Sequence, residues 1–281
     1  MTTHSFRIVN VFTRAGALTG NPLCVFEDGG ALDDATMQAL ARQFNLSETT
    51  FILPSDRATA RVRIFTSSYE MPFAGHPTLG TAHVVRSLRN PGDSLTLEMK
   101  AGIIPVSAAG DRWTLSANAP RWREVTESRA ELAGILGLAA GDIAERPLWV
   151  NAGKEQLMVP VTTADAVRRA RPRADAFSRL KSEDGHSMAY VFADGGDVRA
   201  TVISRFFFPS GPAILEDPAT GSACANLGGW FVATRSGGDV SRTVSQGDEV
   251  HRPSLLFLTV KSGAVHVGGD VIELARGTLN L

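Results

Sequence analysis

The first half of the chain alternates between the hydrophobic period of strands and that of helices. Short apolar or alternating runs predict strands at 6–12, 23–26, 49–53, 61–65, 95–99, 103–106 and 112–115. The residues after Asp33 have the i, i+3, i+4, i+7 apolar spacing of an amphipathic helix, with Asp33 as its cap. A second helix is predicted to begin just after Gly75, with Pro77 in its first turn, and its residues 79–88 are apolar enough to be buried on most sides. The strands that follow would let a curved sheet wrap around this helix.

The second half repeats this order. Helices are predicted near 128–138, in amphipathic pieces between 164 and 180, and over 222–234. Strands are predicted at 156–161, 188–192, 198–208, 254–260, 265–267 and 271–274. Gly228 and Gly229 weaken the third helix by roughly 1 kcal/mol each relative to alanine, a cost that close packing against a neighbour would explain.

The order strands, helix, strands therefore occurs twice. It favours an α+β fold of two similar halves, with mostly antiparallel or mixed sheets, over a doubly wound parallel sheet. We expect an N-terminal half over 1–120 and a C-terminal half over 121–281, with the last strand available to return to the first half.

Composition and charge indicate which kind of molecule the protein binds. With 281 residues and 43% apolar composition, the chain can bury a full core. Its 28 basic and 29 acidic residues give a net charge of −1, so nothing suggests nucleic acid or an anionic membrane as a partner. Residues 1–10 lack a leader pattern and no apolar run approaches the roughly 20 residues of a membrane span, so we expect a cytoplasmic protein with a small-molecule partner.

Two turns share one design. In residues 70–78 and 216–223 an acidic extended segment leads to a glycine, Gly75 or Gly221, and an apolar helical run follows at once. Such a turn presents the bare N–H groups and positive dipole end of a helix, which favour an anion. Half the chain length separates the turns, so we expect two similar halves that hold a carboxylate in a cleft between them.

Glu48 and His76 are candidates for proton transfer. Glu48 stands between a helix and a strand without a basic neighbour closer than Arg42, so burial would raise its pKa from about 4.3 toward neutrality. Taken alone it is more often a capping or solvated residue. His76 lies at a helix start, where the dipole favours the neutral imidazole, a group able to accept or relay a proton. A histidine that only bonds to backbone is the alternative.

Asp217 and Ser222 flank the second turn. Asp217 is able to accept a hydrogen bond from a substrate amino or hydroxyl group, or from His76, but it also fits an ordinary Asp-Pro turn. Ser222 is able to donate its hydroxyl and N–H to a carboxylate, and is equally suited to a helix N-cap. No G-x-S-x-G, H-E-x-x-H, Walker or G-x-G-x-x-G motif is present, so cofactor-free acid–base chemistry remains the favoured class.

Six short motifs lie in order along nearly the whole sequence. They are Gly20-Asn21-Pro22, Asn45-Leu46-Ser47-Glu48, Pro72-Phe73-Ala74-Gly75-His76-Pro77-Thr78-Leu79-Gly80, Asp217-Pro218-Ala219-Thr220-Gly221-Ser222, Gln246-Gly247 and Arg252-Pro253-Ser254. Together they resemble the PhzF phenazine-biosynthesis family. The resemblance implies the diaminopimelate epimerase-like fold, in which each half is a barrel-like sheet around a central helix, with the site between the halves and a homodimer as the usual assembly.

Carried over position by position, the resemblance implies roles for six residues. Catalytic roles fall to Glu48, as the acid/base that moves a proton between substrate carbons, and to His76 and Asp217. Substrate-binding roles fall to Gly75, Gly221 and Ser222. The family's namesake reaction isomerises the cyclic amino acid trans-2,3-dihydro-3-hydroxyanthranilate, and it implies neither a metal nor an organic cofactor.

Two features leave the substrate and reaction open. The family's usual Thr-Pro pair is replaced here by Thr66-Ser67-Ser68-Tyr69, so Tyr69 is placed to reshape the substrate pocket. Related epimerases use two thiols, whereas Cys24 and Cys224 have apolar neighbours that favour a reduced, buried pair. A cofactor-independent isomerase is the leading prediction. Epimerase, racemase or lyase chemistry on the same fold is an alternative, and a non-catalytic carboxylate-binding protein is another.

Overall fold

Eight short strands and two helices form most of the first unit of the chain, which comprises residues 1–116 and 268–281. The structure is a computed structural model that describes residues 2–194, 201–235 and 238–281. The strands of this unit are β1 (Thr3–Val11), β2 (Asn21–Phe26), β3 (Glu48–Leu53), β4 (Ala60–Phe65), β5 (Glu70–Met71), β6 (Ser94–Met99), β7 (Gly102–Ala109) and β8 (Arg112–Ser116). Its helices are α1 (Asp34–Phe44) and α2 (Gly75–Arg89).

The second unit comprises residues 117–267. Its strands are β9 (Arg121–Glu124), β10 (Leu148–Asn151), β11 (Glu155–Pro160), β12 (Ala189–Asp194), β13 (Thr201–Ser210), β14 (Ala213–Asp217), β15 (Val240–Gln246) and β16 (Ser254–Lys261). Its helices are α3 (Arg129–Leu136), α4 (Ala164–Arg169), α5 (Ala174–Phe177) and α6 (Gly221–Thr234). The last strand, β17 (Ala264–Asn280), begins in this unit and belongs to the first unit from Gly268 onward.

The first unit is a closed barrel around α2. Antiparallel pairs join β1 to β2, β3 to β4, β6 to β7 and β7 to β8, while β2–β3 and β4–β6 are parallel. β17 pairs with both β8 and β1, which closes a ring of eight strands. Gly80 lets α2 lie close to this sheet, because a Cβ at that position would lie 2.7 Å from Leu23 Cδ2.

The second unit repeats the same order of pairings. The pairs β10–β11, β12–β13 and β15–β16 are antiparallel, and β11–β12 and β13–β15 are parallel. β14 forms a hairpin with β13 just as β5 does with β4, and each hairpin leads into the central helix of its unit. Gly228 and Gly229 of α6 face Val265 Cγ1 and Val150 Cγ1, which a Cβ would approach to 2.5 and 2.7 Å. Close packing therefore accounts for both glycines.

The predicted fold class is confirmed. Two α+β halves of matching topology each surround a central helix with a mixed, mostly antiparallel sheet. The division between the units falls after Ser116 and again within β17. Among the described residues, no helix combines the length and the apolarity that crossing a membrane requires.

Several predicted elements need correction. The two strands expected at 265–267 and 271–274 are one continuous strand, because Val271 and its neighbours pair with β1 while the strand passes β8. The helical pieces predicted between 164 and 180 are confirmed as α4 and α5, which are separated around Pro172 because proline cannot continue a helix. Strands β5, β9, β10, β14 and β15 were not predicted, since each mixes polar and apolar residues over a short length. Residues 198–200 of the strand predicted at 198–208 lie outside the described residues.

Candidate active site

Glu48 is positioned by the end of a helix and the start of a strand. Asn45 ends α1 in the left-handed conformation, with φ of 52°, and the chain turns back so that β3 begins at Glu48 itself. There Glu48 pairs in parallel register with Leu23 of β2. Its side chain is only 15% exposed, so the carboxyl group is largely removed from water.

His76 lies beside Glu48 because α2 begins next to the same strand. Its imidazole donates a hydrogen bond to the backbone carbonyl of Pro22, one residue before the partner of Glu48. Nε2 of His76 lies 3.2 Å from Oε2 of Glu48, and the His76 side chain is 7% exposed. Pro22 belongs to the Gly20-Asn21-Pro22 motif, which only the family resemblance singled out in the sequence. Its carbonyl oxygen is the acceptor that orients the imidazole.

The tautomer of His76 follows from these contacts. Nε2 makes no hydrogen bond with the described residues as the ring is oriented, so Nδ1 carries the proton that is donated to Pro22. Burial lowers the pKa of His76 to about 3, outweighing the opposite effect of the Pro22 hydrogen bond. The imidazole is therefore neutral at physiological pH, as expected from the sequence, although burial rather than the helix dipole is the main cause. A bare nitrogen lone pair thus faces the Glu48 carboxyl group.

Acidic residues ahead of each turn are braced by arginine. Nε and Nη2 of Arg63 donate to the two oxygens of Glu70 at 2.8 and 2.7 Å, and these bonds lower the pKa of Glu70. In the second unit Nε and Nη2 of Arg205 both donate to Oε2 of Glu216, at 3.1 and 2.6 Å, and both side chains are 7% exposed. The acids therefore fix the hairpins that lead into α2 and α6 rather than facing a ligand.

The internal repeat includes the side-chain contacts of these two arginines. The guanidinium of Arg63 lies 5.0 Å from the centre of the Phe65 ring, and that of Arg205 lies 4.7 Å from the centre of the Phe207 ring. Each cation thus packs on an aromatic ring two residues further along its own strand. The same arginine–phenylalanine–glutamate arrangement supports both glycine turns.

Asp217 is held in a hydrogen-bonded turn at the end of β14. The Thr220 hydroxyl donates to Asp217 Oδ2 at 2.5 Å. Gln246 Nε2 donates to the Asp217 carbonyl at 2.8 Å and to the Thr220 hydroxyl at 3.0 Å. Gly247 permits this approach, because its φ is 84° and a Cβ would lie 2.5 Å from the carbonyl oxygen of Pro218. The Gln246-Gly247 motif is therefore a clamp on the turn that carries Asp217.

Gly221 and Ser222 are the first two residues of α6. Thr220 occupies the N-cap position in extended conformation and forms no side-chain cap, so the helix start is not closed by its own side chain. The Ser222 hydroxyl accepts a hydrogen bond from Nε2 of Gln156 at 3.0 Å. Sequence reasoning missed Gln156, although a polar residue inside the otherwise buried, mostly apolar strand β11 was a usable signal.

The structure brings the candidate residues together in two sets. Gly75, His76 and Glu48 form one set in the first unit, and the turn from Asp217 to Ser222 forms the other in the second unit. A relation between the two sets, including the suggested contact of Asp217 with His76, stays a prediction. Tyr69 is 56% exposed on the loop before β5. The described residues contain no cluster of His, Cys, Asp or Glu able to hold a metal ion.

The sequence match decides the family. Residues 9–277 match the family described as phenazine biosynthesis-like protein, PhzC-PhzF. The chain belongs to the PhzC-PhzF family. A relative, the trans-2,3-dihydro-3-hydroxyanthranilate isomerase of Pseudomonas fluorescens, is 33% identical over 292 residues that cover 99% of this chain and 100% of that protein. The chain is therefore a PhzF-type isomerase, and the expectation of an enzyme is confirmed.

Solved structures agree with this membership. A PhzF-family phenazine biosynthesis protein of Bacillus anthracis superposes with a TM-score of 0.89 at 26% identity, covering 100% of both chains. A hydroxyproline epimerase of Agrobacterium vitis has a TM-score of 0.61 at 13% identity, covering 99% of this chain and 92% of that one. The similarity to the hydroxyproline epimerase shows the fold alone. It confirms the epimerase-like fold that was expected from the resemblance to PhzF proteins. The homodimer stays a prediction.

Proposed function

We propose that the chain is a cofactor-independent isomerase that moves a proton between carbons of a small cyclic amino-carboxylate. The compound in the name of the relative, trans-2,3-dihydro-3-hydroxyanthranilate, is the substrate to test first. The observation that carries the proposal is the buried pair of Glu48 and His76, since a carboxyl group beside a neutral imidazole is suited to carrying a proton. Simple binding of a carboxylate would need no such pair.

One proton belongs to this pair in the resting enzyme. A carboxylate oxygen 3.2 Å from a bare imidazole nitrogen is stable only when a proton lies between the two atoms, because two lone pairs repel. Because burial disfavours the protonated imidazole, we infer that this proton rests on Glu48, whose carboxyl group faces Nε2. When the proton moves to Nε2, Glu48 becomes a carboxylate and is ready to act as a base.

The reaction follows as two balanced proton transfers. In the first, the bond from a substrate carbon to hydrogen breaks, its proton goes to Glu48, and Glu48 passes its own proton to His76. The electron pair left behind spreads into the conjugated system of the substrate, and the imidazolium balances this negative charge. In the second, Glu48 gives a proton to a different carbon and recovers one from His76, so the enzyme is regenerated and the double bonds have moved.

Each glycine turn, taken by itself, is suited to binding an anionic group. In the first unit the backbone N–H at Gly75 is suited to binding an anion. In the second unit the backbone N–H at Gly221 and the Ser222 hydroxyl are suited to holding a carboxylate, and Asp217 is suited to accepting from an amino or hydroxyl group. Since α6 carries no side-chain cap, its first turn is left for a ligand.

The deciding experiment is isomerisation of trans-2,3-dihydro-3-hydroxyanthranilate in deuterated water. The parent protein should convert it with deuterium at the new C–H position, and the Glu48→Gln variant should lose about 100- to 10,000-fold in kcat. Glu145→Gln, at a side chain that is 88% exposed, is the matched control and should retain full activity.

Other outcomes separate the remaining candidates. Deuterium at a stereocentre without a shifted double bond would identify an epimerase, and loss of a substituent would identify a lyase. Full activity of the Glu48→Gln variant would refute the assigned role of Glu48. No reaction by the parent protein would show that the substrate is a different carboxylate.

A further inference from the structure

A chain of hydrogen bonds behind the second turn has a fixed direction. It begins at the backbone N–H of Ala152, which donates to Oδ1 of Asn226 at 2.7 Å. Nδ2 of Asn226 donates to the carbonyl of Lys154 and to Oε1 of Gln156, both at 2.8 Å. Nε2 of Gln156 then donates to the Ser222 hydroxyl at 3.0 Å. The chain therefore runs from buried backbone to the start of α6.

The two amides cannot be turned over without breaking this chain. A backbone N–H is always a donor and a backbone carbonyl is always an acceptor, so Ala152 and Lys154 together fix which end of the Asn226 amide is oxygen. The Asn226 NH2 group then requires the oxygen of Gln156 to face it, which leaves the Gln156 NH2 group toward Ser222. Asn226 is fully buried and Gln156 is 1% exposed, so water does not compete for these groups.

The Ser222 oxygen is therefore an acceptor for Gln156, and its single proton must be donated elsewhere. Within the described residues, the hydroxyl donates to no protein atom. Ser222 is half-buried and stands in the first turn of α6, where a side-chain cap is absent and the dipole favours negative charge. The hydroxyl is therefore suited to donating a hydrogen bond to a ligand group that bears negative charge.

We propose that Gln156 and Asn226 are positioning residues that make Ser222 an obligate hydrogen-bond donor to the substrate carboxylate. This inference rests on the proposed function for the existence of such a substrate, and it adds the reason for carboxylate selectivity at the second turn. A serine without this support rotates freely and accepts as readily as it donates. Here the hydroxyl is oriented before binding, so the ligand does not bear the cost of orienting it.

The test measures binding of 3-hydroxyanthranilate, an unreactive aromatic carboxylate, by isothermal titration calorimetry. Gln156→Glu keeps the shape of the side chain but replaces its donor with an acceptor, so the Ser222 proton is drawn away from the ligand. Its Kd should rise at least about 10-fold at pH 8. At lower pH the new carboxyl group becomes protonated and donates to Ser222 again, so the Kd should recover toward the parent value. A purely structural effect would show no such recovery.

A double-mutant cycle gives the second readout. Gln156→Met removes the donor without adding charge and should weaken binding about 5- to 10-fold in the parent protein. In the Ser222→Ala background the same change should weaken binding less than about 2-fold, since the hydroxyl through which Gln156 acts is gone. Additive effects would overturn the proposal, because they would mean that Gln156 supports the fold rather than Ser222.

Measuring both binding and turnover distinguishes a failure of the proposed function from a failure of the role proposed for Gln156. If 3-hydroxyanthranilate binds as described but the dihydro compound is not isomerised, the proposed substrate fails and the role of Gln156 stands. If the parent protein binds neither 3-hydroxyanthranilate nor benzoate, the carboxylate-donor role of Ser222 is overturned. Thermal unfolding of every variant checks that each one is folded under the conditions of the titration.

Discussion

His76 Nε2 and Glu48 Oε2 lie 3.2 Å apart in a pair whose side chains are 7% and 15% exposed. Two features build the pair, the left-handed end of α1 at Asn45 and the hydrogen bond from His76 to the distant Pro22. A neutral imidazole with its proton on Nδ1 is the state that these contacts impose.

The first prediction concerns the tautomer of His76. We expect long-range ¹H–¹⁵N correlation spectra to show a protonated Nδ1 and a bare Nε2, with no titration of this ring between pH 5 and 8, because burial lowers its pKa to about 3. His76→Asn identifies the signals by their disappearance. A ring that titrates near its ordinary pKa of about 6.5 would contradict this assignment.

The second prediction concerns stability in acid. Below about pH 6.5 His76 takes up a proton in the unfolded chain, whereas in the native protein it stays neutral until the pH nears 3. The unfolded state therefore binds more protons in this window, and His76 makes the free energy of unfolding fall by about 1.4 kcal/mol per pH unit as the pH decreases. Urea unfolding of His76→Asn at several pH values should show a slope that is shallower by about this amount.

His186→Asn is the control for that slope, because the His186 side chain is 56% exposed. If both variants change the slope equally, burial of His76 is not the cause.

The third prediction concerns the glycines of the central helices. Alanine at Gly80 or Gly228 would place a Cβ 2.7 Å from Leu23 or 2.5 Å from Val265, so we expect each change to lower the free energy of unfolding by about 1–3 kcal/mol. At Gly134 of α3 none of the described neighbours would come within 4 Å of an added Cβ, so alanine there should raise stability by up to about 1 kcal/mol. Denaturant unfolding of the three variants compares them, and equal effects would argue against tight helix packing.

The fourth prediction concerns the brace behind the second turn. Glu216→Gln leaves Arg205 buried with its charge uncompensated, so we expect a loss of about 3 kcal/mol in the free energy of unfolding. Asp165→Asn breaks the exposed pair with Arg169, whose side chains are 70% and 49% exposed, and should cost less than about 1 kcal/mol. A small loss for both variants would show that the brace contributes little.

The fifth prediction separates this chemistry from thiol-based epimerisation. Burial raises the pKa of both Cys24 and Cys224 well above the ordinary range, so neither thiol ionises at neutral pH. We expect native protein to resist iodoacetamide and the Cys24→Ala, Cys224→Ala double variant to keep its kcat. Mass spectrometry of the alkylated protein and steady-state rates measure this. Loss of activity in a folded double variant would revive a thiol mechanism.

Hydrophobic periodicity in the sequence predicted the helices and strands that depend on regular local spacing of apolar residues. The cap at Asp33, the apolar stripe of α1 and the apolar helices α2 and α6 depend on local spacing, and α2 and α6 appear within a residue or two of their expected limits. Strands β9, β10 and β15 were not predicted because pairing with neighbouring strands, not their own pattern, holds them in the sheet.

By itself the sequence determined the repeated order of elements, the two glycine turns and membership of the PhzC-PhzF family, because these depend on residue type and spacing along the chain. Tertiary structure decided which polar groups are buried and where each proton points. Pro22 sets the tautomer of His76, and Gln156 sets the direction of the Ser222 hydroxyl, through hydrogen bonds between residues far apart in sequence. Burial and hydrogen-bond direction exist only once the chain has folded, so spacing alone contains neither.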